Sequence, residues 1–350
     1  MFDIEGSHDQ AKLILTSGAD MAGEGCGLVA TESTNEWIST GNDSSPENGS
    51  RLVRVSDTSG AILGYRVTPT PVLAIKMFKP ENVSDENAQI IIVTQTNIFI
   101  YDSGLEHCNS IIDTEPNPNG AIAVSMQEPL RIAYPCPSVR GIKVSTIGGE
   151  TSTLFHNTFS TPIQLLTFSP SGKKLAATDQ DGLTVYSFTL PEAQNAGFGS
   201  SINSASAAGA NGLLSSSPSS SSSSKYISSA AVKTYRRGTQ KCRMTSLCFN
   251  SSDEDILCCS SDHSTIHIFN INPSPSLLSM AGTVFWNFQI KDEHIPKTSG
   301  SHTSWCHFSA SDPSRLYRVV DHRVYIYTLD LNPQRLGATL LIMKDLGLRK

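Results

Sequence analysis

A repeated strand pattern in the second half of the chain restricts the possible folds more than any other feature. In each of three copies, a short apolar run ends in an aromatic residue, a polar turn and a second apolar run follow, and a third run ends in another aromatic residue. The paired aromatic residues are 20, 20 and 19 positions apart: Phe168 and Phe188, Phe249 and Phe269, Phe308 and Tyr327. This spacing predicts three strands joined by short hairpins, as in a β-propeller blade. A β-sandwich with similar hairpins is the alternative.

The remainder of the chain has the same character. Period-two or short continuous apolar runs, bounded by Gly, Pro, Asn, Asp and Ser, recur at 52–55, 72–78, 90–93, 98–101 and 142–144, whereas helical three-four spacing is scarce. The runs are of strand length and too short to form a membrane-spanning helix. Asp3, Glu5 and Asp9 precede any apolar stretch, which is the reverse of a signal peptide. We therefore expect an all-β, soluble, cytosolic protein.

Charge and cysteine content restrict the function. The formal net charge of −6 argues against a whole-surface attraction to nucleic acid or anionic lipid, since that attraction needs a positive field. We expect no nucleic-acid partner, and any bound anion must be held locally. The eight cysteines include no CxxC pair, and most lie in apolar runs, so we expect reduced core thiols. No catalytic or nucleotide-binding motif is present and no histidine or carboxylate spacing forms a metal set. We expect neither an enzyme nor a cofactor.

A low-complexity segment at 192–231 separates the first two copies of the repeat. It consists mainly of Ser, Ala, Gly and Asn, and its run at 215–224 is serine except for Pro218. Such a segment buries too little apolar surface to offset its ordering entropy, so we expect a disordered loop. Its position predicts an insertion between the third and fourth strands of one blade.

The densest positive stretch, 233–243, follows that loop and contains Tyr235-Arg236-Arg237-Gly238. Further along is the sequence Ser260-Ser-Asp-His-Ser-Thr-Ile-His-Ile-Phe269. This combination resembles the PROPPIN family, β-propellers that bind polyphosphoinositides and whose motif is Phe-Arg-Arg-Gly followed by a Ser-Asp-x-x-Thr-x-His-x-Phe strand pair. Tyr235 replaces the Phe. Segments 97–102, 114–120, 132–144 and 324–330 resemble the family's middle and last blades in the same order.

The resemblance implies a WD40-like propeller of seven blades formed by a single domain, 1–350. It covers the chain from about Leu52 to the carboxyl end. Residues 1–4 are similar to the end of the family's first strands, so we expect the first blade to be incomplete.

The resemblance also implies two phosphoinositide pockets, one around each arginine, and we expect both arginines to lie in a solvent-accessible groove. The family's second pocket is matched here by residues of the expected types: Arg237, Ser261, Thr265 and His267, with Lys241 at a basic position. A guanidinium binds a phosphate with two parallel hydrogen bonds, and hydroxyls and an imidazole bind the remaining phosphate oxygens. The alternative is that Ser261, Thr265 and His267 are ordinary hairpin and strand residues.

The first pocket, around Arg236, departs from the family's pattern. The family's His, Ser, Thr and Arg positions are taken here by Phe159, Asp179, Leu183 and Tyr186. A carboxylate repels phosphate, and Phe and Leu donate no hydrogen bond. A three-residue shift would bring His156 into the pocket without compensating for Asp179. We therefore expect this pocket to be lost and the protein to bind a single headgroup.

A loop of the sixth blade enters the bilayer in the family. The corresponding segment here, 272–282, is short, with Leu277, Leu278 and Met280 as membrane-contact candidates. A compact turn packed on the propeller is the alternative.

The resemblance thus predicts a propeller that binds phosphatidylinositol 3-phosphate, with the 3,5-bisphosphate as a second lipid. It implies a cytoplasmic protein, peripheral on endosomal, vacuolar, lysosomal or pre-autophagosomal membranes, that recruits autophagy-related proteins. The alternative is a WD40-type protein-interaction scaffold without significant lipid binding.

Overall fold

The computed structural model describes most of the chain in thirteen ranges, together with the backbone of five further strands. The ranges are 51–57, 61–78, 88–125, 127, 129–148, 152–191, 232–263, 265–272, 287–291, 304–309, 312–320, 323–331 and 337–345, and the strands lie at 2–3, 12–13, 26–30, 36–41 and 225–227. Within these parts, no helix has the length and apolar character needed to cross a membrane.

The strands form one pair and six larger sheets. The pair is β1 (Phe2–Asp3) with β2 (Lys12–Leu13). Blade two contains β3 (Cys26–Ala30), β4 (Glu36–Gly41), β5 (Leu52–Asp57) and β6 (Ile62–Val67). Blade three contains β7 (Ala74–Phe78), β8 (Gln89–Val93), β9 (Asn97–Asp102) and β10 (Cys108–Asp113). Blade four begins with β11 (Ala123–Val124), β12 (Arg131–Cys136), β13 (Gly141–Thr146) and β14 (Ser152–Phe155), with a 3-10 turn at Pro137–Val139.

The repeat found in the sequence corresponds to the last three blades. Blade five contains β15 (Ile163–Phe168), β16 (Lys174–Asp179), β17 (Thr184–Thr189) and, after β18 (Lys225–Ile227), the strand β19 (Val232–Arg236). Blade six contains β20 (Met244–Phe249), β21 (Ile256–Ser261), β22 (Thr265–Asn270) and β23 (Asn287–Lys291). Blade seven contains β24 (Ser304–Phe308), β25 (Arg315–Val320), β26 (Arg323–Asp330) and β27 (Gly337–Asp345). The all-β, seven-bladed β-propeller is confirmed, with blades two to seven as the six larger sheets and the β1–β2 pair preceding them in the chain.

The core is divided among the junctions between successive blades. Five clusters of buried side chains each join two neighbouring sheets, from blades two and three to blades six and seven. Central strands such as β8, with sequence QIIIV, are apolar along most of their length because they are covered on both faces. The outer strand β6 instead alternates exposed and half-buried residues along most of its length. First strands of successive blades contact one another, so they line the axis of the ring.

Antiparallel order places three kinds of segment at one edge of every blade. First strands begin there, second and third strands are joined there, and fourth strands end there. We call this edge the upper face. It carries the carboxyl end of β19 with Arg236 and Arg237, the hairpin after β16, and the hairpin between β21 and β22.

The Ser-rich insertion lies between β17 and β19, the third and fourth strands of blade five. Most of segment 192–231 is outside the described residues. The expectation of a loop without secondary structure is wrong for the three residues of β18. This strand pairs parallel with β14 and forms a fifth strand of blade four, with Leu154 opposite Tyr226. Main-chain pairing at an open sheet edge requires no apolar sequence, so composition did not reveal it.

Candidate functional site

Strand β19 is anchored by the tyrosine of its Tyr-Arg-Arg sequence. Tyr235 is buried between blades five and six, with its ring 6.0 Å from that of Phe269. Its hydroxyl donates a hydrogen bond of 2.8 Å to the carbonyl of Ile271, and burial raises the pKa of Tyr235. The residue that replaces the family's Phe therefore adds a polar contact to the next blade.

The two arginines have opposite environments, as the period of a strand requires. Arg236 lies opposite Thr184 on β17. It is exposed, and its Nε donates to the carbonyl of Gly238 at 3.3 Å. Arg237 is only 6% exposed. The expectation that both arginines lie in a solvent-accessible groove is therefore wrong for Arg237.

Arg237 is held by main-chain carbonyls from two segments. Its Nε donates to the carbonyl of Gly182, its Nη2 donates to that of Gln240 at 2.7 Å, and its backbone N–H donates to Leu183 at 2.8 Å. The guanidinium thus fastens the β16–β17 hairpin to the connection between blades five and six. It places a buried positive charge at the upper face.

Gly182 is a site residue that sequence reasoning missed. It has a positive φ of 61°, and a Cβ there would lie 2.3 Å from the carbonyl oxygen of Cys242. Its carbonyl accepts from the Cys242 thiol at 3.7 Å as well as from Arg237. The Asp181-Gly182 pair at the end of a strand is the sequence signal for such a turn.

The structure brings Ser261 close to Arg237 through Cys242. Burial raises the pKa of the Cys242 thiol, and a hydrogen bond with Ser261 and the charge of Arg237 oppose that rise. Ser261 is buried, and its hydroxyl accepts from the backbone N–H of His263 at 3.2 Å. Both predicted residues therefore lie beside the same thiol.

His267 and Thr265 lie on the strand that follows. His267 is buried, is paired across the sheet with Cys259, and stacks on Phe269 with 6.2 Å between ring centroids. Burial raises the pKa of the Cys259 thiol, and the positive charge of Arg237 opposes that rise. Thr265 is half-buried at the start of β22.

The connection from β19 to β20 carries further cations. Lys241 is exposed and forms an ion pair of 3.0 Å with Asp181, and Arg243 is exposed. The backbone of Arg243 exchanges hydrogen bonds with Asp262, at 3.2 Å to the carboxylate and 2.9 Å from the Asp262 N–H. In a chain of net charge −6, this edge has a local excess of positive charge.

The residues expected at the family's first pocket contact one another. Phe159 is buried with its ring 4.6 Å from that of Tyr186. The Tyr186 hydroxyl donates to Asp179 at 3.1 Å, as does the backbone N–H of Gly182. Burial raises the pKa of Asp179, and burial and the Asp179 charge raise that of Tyr186. His156 is half-buried, and its Nδ1 lies 3.3 Å from the Asn157 amide.

The membrane-contact candidates Leu277, Leu278 and Met280 lie outside the described residues. Among those that the structure describes, no cluster of His, Cys, Asp or Glu has the geometry to hold a metal ion.

The fold and this site define a β-propeller with a basic strand end at the junction of two blades. Solved structures share the fold. Kluyveromyces lactis Hsv2 is 15% identical and superimposes with a TM-score of 0.58 over 92% of this chain and 87% of that chain. KlAtg21, solved in complex with the coiled-coil of AgAtg16, is 14% identical with a TM-score of 0.61 over 91% of this chain and 84% of that chain.

Sequence relatives agree with the fold. Autophagy-related protein 18 of Mycosarcoma maydis is 24% identical over 267 residues, which cover 70% of this chain and 48% of that protein. Autophagy-related protein 18 of Ajellomyces capsulatus is 27% identical over 238 residues, covering 60% and 48%. No family model matches the chain. These similarities support the resemblance of the sequence to the PROPPIN family of β-propellers. The chain spans about half the length of the curated relatives it matches.

Proposed function

We propose that this propeller binds phosphatidylinositol 3-phosphate, with the 3,5-bisphosphate as a second lipid, on endosomal, vacuolar, lysosomal or pre-autophagosomal membranes. The observation that carries the proposal is the proximity of Arg237, Ser261 and the basic connection with Lys241 at one junction of the upper face. Guanidinium, hydroxyl and ammonium groups are the donors that phosphate oxygens accept. Arg236 adds an exposed cation next to them.

The described geometry supports one headgroup for each chain. Phe159 and Tyr186, which stand at positions of the family's first pocket, pack against each other with ring centroids 4.6 Å apart, and the buried Asp179 carboxyl accepts a hydrogen bond from the Tyr186 hydroxyl. Two headgroups on one rigid edge would strengthen attachment by about 10²–10⁴-fold through effective concentration. A single site lacks that gain, so we propose that Leu277, Leu278, Met280 or a partner protein supplements attachment.

Flotation with liposomes of defined phosphoinositide content tests the proposal. We expect the protein to float with phosphatidylinositol 3-phosphate, Arg237→Ala to lose most of this binding, and Arg236→Ala to lose little. Lys233→Ala is the matched control, because Lys233 is an exposed cation on the same strand. Each variant is first shown to be folded by circular dichroism. Absence of flotation by the folded wild-type protein would refute lipid binding and leave the scaffold alternative.

Stoichiometry tests the single pocket separately. Calorimetric titration with a soluble short-chain phosphatidylinositol 3-phosphate should give a value near one lipid per chain. Two sites of similar affinity, or equal losses from the Arg236 and Arg237 variants, would show that Phe159, Asp179 and Leu183 are wrongly assigned to the first pocket.

We also propose that the chain recruits autophagy-related proteins, and the outer strand of blade two favours this role. Ile62, Leu63, Tyr65 and Val67 are 45–61% exposed on β6, an apolar surface of the kind that marks protein contacts. The solved complex of KlAtg21 with a coiled-coil supports a helical partner. Tyr65→Glu should abolish capture of an autophagy coiled-coil in a pull-down while flotation stays unchanged. Loss of both activities together would indicate unfolding, and loss of neither would refute a role of β6.

A further inference from the structure

Two adjoining cavities open at the upper face. The larger, of 990 Å³, is lined by the beginnings of β7, β15, β20 and β24 and by the residues before β11. Because these segments come from five successive blades, the cavity lies on the axis of the propeller. The smaller cavity, of 350 Å³, lies beside blade four. Pro118 lines both, so the two cavities lie side by side. Both volumes are within the ~300–1,000 Å³ range of ligand pockets.

The axial cavity has an excess of positive charge. Lys76, Lys241 and Arg243 line it, and all three are exposed. Asp262 is the acidic residue of its lining, and Asp181 pairs with Lys241. A tryptophan, Trp305, also lines the cavity with 55% of its surface exposed. Cations next to an aromatic ring favour a ligand that carries negative charge and apolar surface together.

The smaller cavity is apolar. Five prolines line it together with Phe159 and Ile163, and Arg140 stands at the same site: the prolines are Pro116, Pro118, Pro135, Pro137 and Pro162. Prolines have no backbone N–H to offer, so this cavity suits an apolar side chain. Positive charge therefore lies on both sides of the apolar cavity: Arg140 on one side, and the cations of the axial cavity on the other.

The wall between the two cavities is held by hydrogen bonds. The Asn119 amide donates to the carbonyl of Ile163 at 2.8 Å. The Asn117 side chain bonds the backbone of Ala121 in both directions, at 3.1 and 3.0 Å. Gly120 has a φ of 61°, and a Cβ there would lie 2.7 Å from the Leu73 Cβ. The segment 117–121 is therefore fixed before a ligand arrives, which reduces the entropic cost of binding.

We propose that the upper face binds an acidic peptide segment of a partner protein that carries one large apolar side chain. The apolar side chain enters the proline-lined cavity, and carboxylates on the flanking residues face Lys76, Lys241 and Arg243 in the axial cavity. This site is separate from the β6 surface, shares the β19–β20 connection with the Arg237 pocket through Lys241 and Cys242, and does not depend on lipid binding.

Selection from a displayed library of random short peptides tests the proposal on the full chain. We expect the enriched peptides to contain a Trp, Phe or Leu flanked by Asp or Glu. Fluorescence anisotropy of the most enriched peptide should show about tenfold or greater weakening with Arg243→Glu, which reverses charge in the axial cavity. Ser160→Trp, which fills the apolar cavity from an exposed position, should have a similar effect.

Matched controls separate this site from general effects. Lys173→Glu makes the same change of charge sign at an exposed position in the hairpin between β15 and β16, at the opposite edge, and Asn109→Trp adds a tryptophan to the exposed part of β10. Both should bind the peptide normally, and all four variants should keep the wild-type melting temperature. Enrichment of peptides without acidic residues, tight binding of inositol hexakisphosphate that displaces the peptide, or normal binding by the Arg243 and Ser160 variants would overturn the proposal.

Discussion

Replacing Arg237 should destabilise the propeller as well as weaken lipid binding. Arg237→Ala removes two charged hydrogen bonds, to the carbonyls of Gly182 and Gln240, in a residue that is 6% exposed. Hydrogen bonds of charged groups contribute about 1.5–3 kcal/mol each. The low end applies here, because the Gly182 carbonyl keeps the Cys242 thiol as a donor. The expected loss in free energy of unfolding is therefore about 3 kcal/mol.

Arg236→Ala provides the comparison on the neighbouring residue. Arg236 is exposed, so its replacement should change the free energy of unfolding by no more than about 0.5 kcal/mol. Urea unfolding followed by circular dichroism measures both variants under one condition. Arg237→Lys keeps the charge but lacks the planar guanidinium, so its unfolding midpoint should lie between those of the two alanine variants. Equal midpoints for the two alanine variants would refute the conclusion that the Arg237 guanidinium fastens the hairpin to the blade connection.

Three further predictions concern the same region. Gly182→Ala should lower the melting temperature and weaken lipid flotation, because the positive φ and the Cys242 carbonyl oppose a Cβ; an unchanged melting temperature would contradict this. The raised pKa of Asp179 means that its ionisation costs stability as pH rises through the folded-state pKa. Asp179→Asn should therefore remove this loss, so that stability falls less, or rises more, with pH across that range than in the wild type, and an unaltered profile would exclude a buried carboxyl as the cause. Deleting 193–224 should leave the melting temperature and lipid affinity nearly unchanged, because these residues are mainly Ser, Ala, Gly and Asn and have little apolar surface to bury. A large drop in melting temperature would show that the segment packs on the propeller.

The blades were predictable because their signals are local. Phe168, Phe249 and Phe308 end the first strands of blades five, six and seven, as their spacing in the sequence predicted. A pair of neighbouring strands is indicated by apolar residues at every second position and by turn residues between the two runs. Both signals are present in consecutive residues of the sequence. The place of the insertion was predictable for the same reason.

The environment of Arg237 was not predictable from its own segment. Strand period correctly predicts opposite faces for Arg236 and Arg237, but it does not reveal what covers the inward face. That cover comes from Gly182, which the insertion separates widely from Arg237 in sequence. The pairing of β18 with β14 is likewise a contact between distant segments, made by main-chain groups that carry no sequence signal.

The insertion also affects the order in which the ring is completed during synthesis. In blades two, three, four and seven, four to six residues separate the third strand from the fourth, and in blade six sixteen do. In blade five, 42 residues separate Thr189 from Val232. Until β19 is synthesised, the edge of β17 has no partner from its own sheet, and open edges favour association with other chains. Tyr235 then joins blade five to blade six. A ribosome-bound chain that stops before β19 should therefore bind chaperones more strongly than one that ends just after Arg237.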